Sequence, residues 1–398
     1  MTIEIGIDSF APTIPDPKTG RTLPAADRME KLLAEVETAD RVGLDVFGIG
    51  EHHRKEFLDS APPVILAAAA ARTTRIRLTS AVSVLSALDP VRLFQEFATV
   101  DLIAKGRAEM VVGRGSFGEA YPLFGFAMQD YDALFAEKLN LLLKLRDEIY
   151  VTWQGRFRPS LSGQGVFPRP HQERMPIWLG VGGTPQSFVR AGTLGLPLMV
   201  AIIGGDFHRF RPLVDLYRES GRRAGRAPGS LTVGVHAMGF VGDTDDAAKD
   251  AFFPGWAYMF TEIGRERGWS TATRAQFEAM CSSRGAFLVG DPTTVRDKIL
   301  AVNTVLGGLS WITFPWRPKR CSARSSRSVP RSHPPSRRHC ARRKSVSELI
   351  VGVRRQSVVK RGVVAGTLEP PWAAFRNWFS GDVGLFGHQA WRAWGVAP

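Results

Sequence analysis

Three clusters of residues in this 398-residue chain could do chemistry. The first closes the stretch Asp45-Val-Phe-Gly-Ile-Gly-Glu-His-His53. Val46, Phe47 and Ile49 give it the apolar content of a short buried strand, which delivers Glu51, His52 and His53 at its carboxyl end. Ligands of α/β proteins bind in the crevice outside such strand ends. An isolated His-His pair also suits a turn that merely satisfies nearby backbone groups. Neighbours on a strand point to opposite faces, so the cluster does not read as a metal site.

The second cluster is Gly180-Val-Gly182-Gly183-Thr184-Pro185. A strand ends in two glycines, Thr184 can cap, and Pro185 opens a helix. Backbone N–H groups at a helix start, with the positive end of the macrodipole, suit a phosphate. An αβ turn that needs glycine only for packing fits the spacing equally well. The third, Gly113-Arg-Gly115-Ser-Phe-Gly118, matches G-x-G-x-x-G after a strand. A dinucleotide fingerprint needs a helix beginning inside the motif. Pro122 and Gly125 interrupt any such helix, so a tight loop presenting Arg114 is the better reading. No G-x-S-x-G elbow and no Walker lysine occur, which removes the usual signatures of serine hydrolysis and nucleotide hydrolysis.

The elements around these clusters repeat one arrangement. Strand patterns fall at 3–7, 45–50, 76–84, 107–113, 177–181, 196–203, 231–241 and 309–314, with helical stretches between them. Met29, Leu32, Leu33, Val36 and Ala39 follow helical spacing. Leu93, Phe94, Phe97, Val100 and Ile103 do so too, after Asp89-Pro90 as cap and first turn. Ser60 before Pro62-Pro63 predicts another helix start. The segments 155–176 and 253–284 carry no interpretable motif and read as loops over a pocket. Eight strands alternating with helices predict an α/β (β/α)8 TIM barrel with insertions, with an open doubly wound sheet as the structural alternative.

Composition divides the chain. The net charge is +14, and residues 317–398 hold 17 Lys/Arg against 3 Asp/Glu, so residues 1–316 carry 35 of each sign. The body is neutral and offers no surface for nucleic acid. Cys281, Cys321 and Cys340 give neither a disulfide framework nor a metal spacing. The amino terminus lacks the pattern of a signal peptide, and the longest apolar runs are too short to cross a bilayer. A cytoplasmic protein without membrane partners is expected.

Taken together, the segments resemble the bacterial luciferase-like monooxygenases, flavin-dependent barrel enzymes. The resemblance covers residues 3–314. It rests on 42–53, on Arg77-Leu-Thr-Ser-Ala-Val82, on Asp89-Pro-Val-Arg92, on 106–115, on Val181-Gly-Gly-Thr-Pro185 through Ala191, and on Gly195-Leu-Pro197. It implies reduced FMN as cofactor, O2 as co-substrate and oxygenation of a small organic substrate. A separate NAD(P)H flavin reductase and a homodimer follow from the same likeness. His52 matches the family's active-site histidine, which implies an acid/base or peroxide-stabilising duty suited to imidazole. Ser80 and Ala81 match the position of a non-prolyl cis peptide under the flavin ring. Arg114, with Gly115 beside it, matches the arginine on the flavin phosphate. Gly182, Gly183, Thr184 and Ser187 match the phosphate-cradling turn. A deazaflavin (F420)-dependent oxidoreductase on the same barrel is the alternative.

The resemblance ends at Phe314. A (β/α)8 barrel requires an eighth helix, and the Arg/Ser/Pro run that follows predicts that this helix is missing or replaced by an irregular tail. Residues 1–316 are therefore read as the flavin-binding barrel and 317–398 as a basic, low-order segment. The favoured origin of that segment is a frame-slipped read: a two-nucleotide shift of GC-rich codons can restore an amphipathic peptide. The rival is a basic tail for nucleic acid or anionic membrane. A lost helix exposes apolar surface worth several kcal/mol or more at about 25 cal/mol per Å2. A catalytically idle product is the corresponding third expectation.

Overall fold

The computed structural model describes residues 2–16, 19–315, 349, 352 and 353. Eight strands form the barrel: β1 (Glu4–Ser9), β2 (Val46–Ile49), β3 (Arg77–Ser80), β4 (Ala108–Gly113), β5 (Ile177–Val181), β6 (Leu198–Ile202), β7 (Val233–Ala237) and β8 (Trp311–Pro315). Each pairs in parallel with the next, and β8 pairs with β1 through Glu4↔Trp311 to Asp8↔Pro315. The sheet is closed, as the eight strand patterns require. It has no free edge.

Alternation along the strands makes two cores. Ile5, Phe47, Leu78, Val112, Ile177, Val200, Val235 and Ile312 belong to the cluster beneath the helices. Val46, Val111, Trp178, Met199 and Trp311 form a second cluster, with Val82 packed on it. Glycines make room for that residue. A Cβ at Gly113 or Gly180 would lie 2.8 or 2.7 Å from a Val82 methyl. The segment after β3 thus turns inward across the barrel. Arg77 donates to Glu4 at 2.7 and 2.8 Å and to Glu109 at 2.9 Å, and Glu109 also accepts from Trp178 Nε1.

Local signals hold in most places and fail in informative ones. Asp89 caps the helix Pro90–Ala104, accepting from the N–H groups of Val91 and Arg92. Ile103 on that helix is 43% exposed, so the buried stripe stops at Val100 and Ala104. The helix Pro62–Ala70 begins from Ala61 with no side-chain cap, so Ser60 does not serve it. The stretch 155–176 is not wholly irregular, because Leu161–Gly165 pairs antiparallel with Tyr150–Trp153. The strand pattern 231–241 breaks in two: Gly239–Val241 leaves the barrel to pair with Leu288–Gly290. Most of 253–284 is helical, in Asp245–Arg267 and Arg274–Cys281.

The expected low-order segment lies outside the described residues, as does its proposed frame slip, except at three positions. Leu349, Gly352 and Val353 are helical. Leu349 and Val353 are 1% and 0% exposed within the main core. A Cβ at Gly352 would sit 3.0 Å from Arg296 Cδ on the helix Pro292–Val305. At these residues a spacing of four puts Leu349 and Val353 on one helical face, and both side chains are buried.

Candidate active site

Beyond the end of β2, Gly50 lets the chain pass closely over its neighbours. A Cβ there would lie 2.4 Å from Phe10 Cδ1 and 2.8 Å from Asp59 Oδ2. Asp59 is fully buried and its Oδ2 lies 2.9 Å from His52 Nδ1. Burial pushes the Asp59 carboxyl above its ordinary range, and the hydrogen bond and charge of His52 oppose that shift. The His52 ring lies 4.7, 4.4 and 5.5 Å from those of Phe10, Phe57 and Phe117. With Nδ1 turned to a carboxylate, Nε2 is the nitrogen left to exchange a proton. His53 faces Glu51 at 3.1 Å, and Glu51 Oε2 accepts from the Val84 N–H at 2.9 Å. Those contacts pin the polar strand end to the segment after β3.

His52 and Gly115 border one small cavity, together with Glu51, Val84, Phe117 and Glu119. Gly115 has φ +78, a left-handed conformation that favours glycine, and Val84 leaves no room for a side chain. Its carbonyl accepts from Tyr131 Oη at 3.2 Å. That turn carries Phe117 toward His52 and Arg114 toward the next strand end. No helix starts within residues 113–118; Gly113 serves Val82 packing, and the short helix Ala120–Leu123 follows the motif.

Arg114 Nη2 donates to Ser187 Oγ at 3.2 Å and Thr184 Oγ1 at 3.3 Å. Its Nη1 pairs with Asp132, and its guanidinium lies 4.9 Å from the Tyr131 ring centroid. Thr184 is the N-cap position of the helix Pro185–Leu194, but its hydroxyl does not cap; it faces the arginine instead. Gly182 is exposed and Gly183 half-buried, and a Cβ on Gly182 would meet nothing within 4 Å. Packing therefore does not explain this glycine. A cation, two hydroxyls, an open glycine and a helix start surround one place, which fits a phosphate.

The family position of a cis peptide falls one residue later than the sequence suggested, at Ala81–Val82. Ser80 is displaced from a ligand-facing role. Its Oγ donates to the Val111 carbonyl at 2.9 Å and accepts from the Val111 N–H at 3.1 Å, tying β3 to β4. Alternation explains this, since Ala81 is the residue that lies over Gly48: a Gly48 Cβ would be 3.0 Å from Ala81 Cβ. His52, Ala81, Arg114 and Thr184 thus follow the ends of four successive strands, β2 to β5. The sequence reading missed Asp59, Phe10, Phe117, Tyr131 and Asp132. Tertiary contact reveals them: Phe117 is a variable position of the 113–118 motif, and the other four belong to no motif.

A family model described as luciferase-like monooxygenase matches residues 7–308. The chain belongs to that family. It is 26% identical over 184 residues to an N-acetyl-S-alkylcysteine monooxygenase of Bacillus subtilis, 46% of this chain and 54% of that protein. The chain spans between half and two thirds of the length of the first curated relatives it matches. In fold it resembles the FMN-bound oxygenating constituent of 3,6-diketocamphane monooxygenase of Pseudomonas putida. The TM-score is 0.66 at 19% identity, covering 89% of this chain and 99% of that one. It also resembles an F420-dependent secondary alcohol dehydrogenase, with TM-score 0.63 at 17% identity over 79% of this chain and 94% of that one. Among the described residues no helix is long and apolar enough to cross a membrane.

Proposed function

We propose that this protein is a monooxygenase that takes reduced FMN and O2 and oxygenates a small organic substrate at the mouth formed by β2 to β5. The observation that carries the reading is the convergence of Arg114 with Thr184 and Ser187 at a helix start, next to an open glycine. Arg114, Thr184, Ser187 and the Gly182-Gly183 backbone would hold the phosphate. Reduced FMN supplies two electrons for the activation of O2, so that one oxygen atom enters the substrate and the other leaves as water.

The chain's own residues supply position and proton control. Asp59 fixes the His52 ring and leaves Nε2 to hold or deliver a proton. Phe10, Phe57 and Phe117 surround the imidazole with apolar surface and limit water. The family resemblance implies that a separate NAD(P)H-dependent flavin reductase supplies the electrons, and no helix starts within the turn 113–118 to bind a nicotinamide dinucleotide there. A homodimer, implied by the same resemblance, is part of this reading.

Fluorescence titration of purified protein with FMN, riboflavin and F420, followed by O2 uptake with photoreduced FMN, tests the reading. FMN bound at least tenfold more tightly than riboflavin, with O2 uptake, supports it. Binding of F420 alone replaces it with a hydride-transferring oxidoreductase on the same cradle. Binding of none of them by folded protein ends it.

A further inference from the structure

Three buried polar side chains from adjacent strands meet inside the barrel, apart from both His52 and the phosphate cradle. His236 of β7 places Nδ1 2.7 Å from Asp8 Oδ2 of β1 and 2.5 Å from Thr313 Oγ1 of β8. The Thr313 hydroxyl donates to the same carboxylate oxygen at 2.5 Å. His236, Asp8 and Thr313 are 8%, 3% and 0% exposed. A threonine has one proton to give, and here the carboxylate takes it. The imidazole nitrogen that faces both oxygens must then carry its own proton and donate. Its ring partner, Nε2, is left as the acceptor.

That Nε2 is buried and has no hydrogen-bond partner, and the same is true of Asp8 Oδ1. A buried polar atom without a partner forfeits its hydration with nothing in return, so folds rarely leave one without a reason. A purely structural trio would need only Nδ1. The unpartnered nitrogen belongs to the layer of side chains nearest the mouth. Asp8 lies opposite Gly48 in the β1–β2 register, and a Gly48 Cβ would fall 2.2 Å from Asp8 Oδ1 and 3.0 Å from Ala81 Cβ. The trio therefore adjoins the inward segment at Ala81, on the side away from Arg114. β6 carries no ionisable side chain, and β8 offers His236 only Thr313 and the Trp311 ring at 6.2 Å. Among the described residues of these strands, Asp8 is the charge that faces it.

We propose that His236 is a second proton-accepting residue of the same mouth, whose Nε2 receives an N–H or O–H group of the bound ligand while Asp8 balances the charge that protonation creates. The donor is either the polar edge of the flavin ring or a group on the reacting substrate. The assignment rests on the reading of this mouth as a flavin site, and it adds a proton acceptor to it.

The test compares wild type with His236→Asn, which cannot titrate but retains a hydrogen-bonding group toward Asp8, and with Asp8→Asn. FMN dissociation constants and the rate of reduced-FMN oxidation by O2 are measured across the range in which imidazoles titrate. With the flavin as donor, wild-type affinity changes about tenfold across that range and H236N shows no change. With the substrate as donor, the binding profiles coincide and the oxidation profile alone, measured with substrate present, loses one limb in H236N. Both profiles unchanged in folded H236N, or in folded D8N should H236N fail to fold, overturn the proposal. If wild type binds neither FMN nor F420, the functional reading is what has failed. Spectra of 15N-histidine-labelled protein then decide the His236 assignment without a ligand. An Nδ1-protonated tautomer that D8N abolishes sustains it, and an Nε2-protonated ring overturns it.

Discussion

Asp59 Oδ2 stands 2.9 Å from His52 Nδ1, and that carboxylate is wholly enclosed by protein. The contact fixes which imidazole nitrogen is available, and it confines a charge where water cannot reach it. Asp59→Asn should keep the ring in place but weaken the support for a protonated His52. Turnover should fall by about tenfold to a hundredfold, with little change in flavin affinity. Steady-state O2 uptake set beside FMN titration checks the split.

The same carboxyl predicts a stability trend with pH. Its folded pKa is raised, above the ordinary 3.8, chiefly by burial. An acid with a raised folded pKa binds its proton more tightly when folded. Its ionisation therefore removes stability as pH climbs from the ordinary value through the folded one. Wild type should lose stability over that window relative to D59N. Urea unfolding of both proteins at a series of pH values measures the difference, and parallel curves would contradict the assignment of Asp59 as its source.

On the proposed reading, Arg114→Ala should weaken FMN binding by about 2–3 kcal/mol while leaving riboflavin nearly untouched, because the guanidinium would address the phosphate and not the ring. Arg114→Lys should recover only part of the loss, since an ammonium cannot hold Asp132 through one nitrogen and Thr184 and Ser187 through another as the fork does. The ratio of the two dissociation constants is the readout.

Gly180→Ala would put a methyl 2.7 Å from Val82 Cγ1. Overpacking of this kind costs about 1–3 kcal/mol. Val82→Ala should relieve most of it, so the double variant should be more stable than the sum of the two single changes. Denaturant midpoints for the four proteins complete the cycle.

Leu349 and Val353, both buried, join the core from beyond the barrel. Leu349→Ala should cost about 2–5 kcal/mol. A thermal midpoint equal to that of wild type would mean that the barrel holds without this contact.

How much of this was legible in the sequence follows from how local each signal is. Alternating apolar residues and their Pro/Gly boundaries determined eight strands and the closed barrel, because strand and helix periods are properties of consecutive residues. The strand-end clusters located His52, Arg114 and Thr184 for the same reason, and the glycine pair at 182–183 marked a place where backbone must stay uncovered. Register and burial decided the rest. Ser80 and Ala81 differ by one position, and only pairing with β4 shows which of them turns outward to Val111. Asp59 acquires its role because Gly50 lets it reach His52. Asp8, His236 and Thr313 lie as much as 305 positions apart and meet because β8 closes against β1. Sequence periodicity fixes which way a side chain faces; closing the sheet decides which others it finds there.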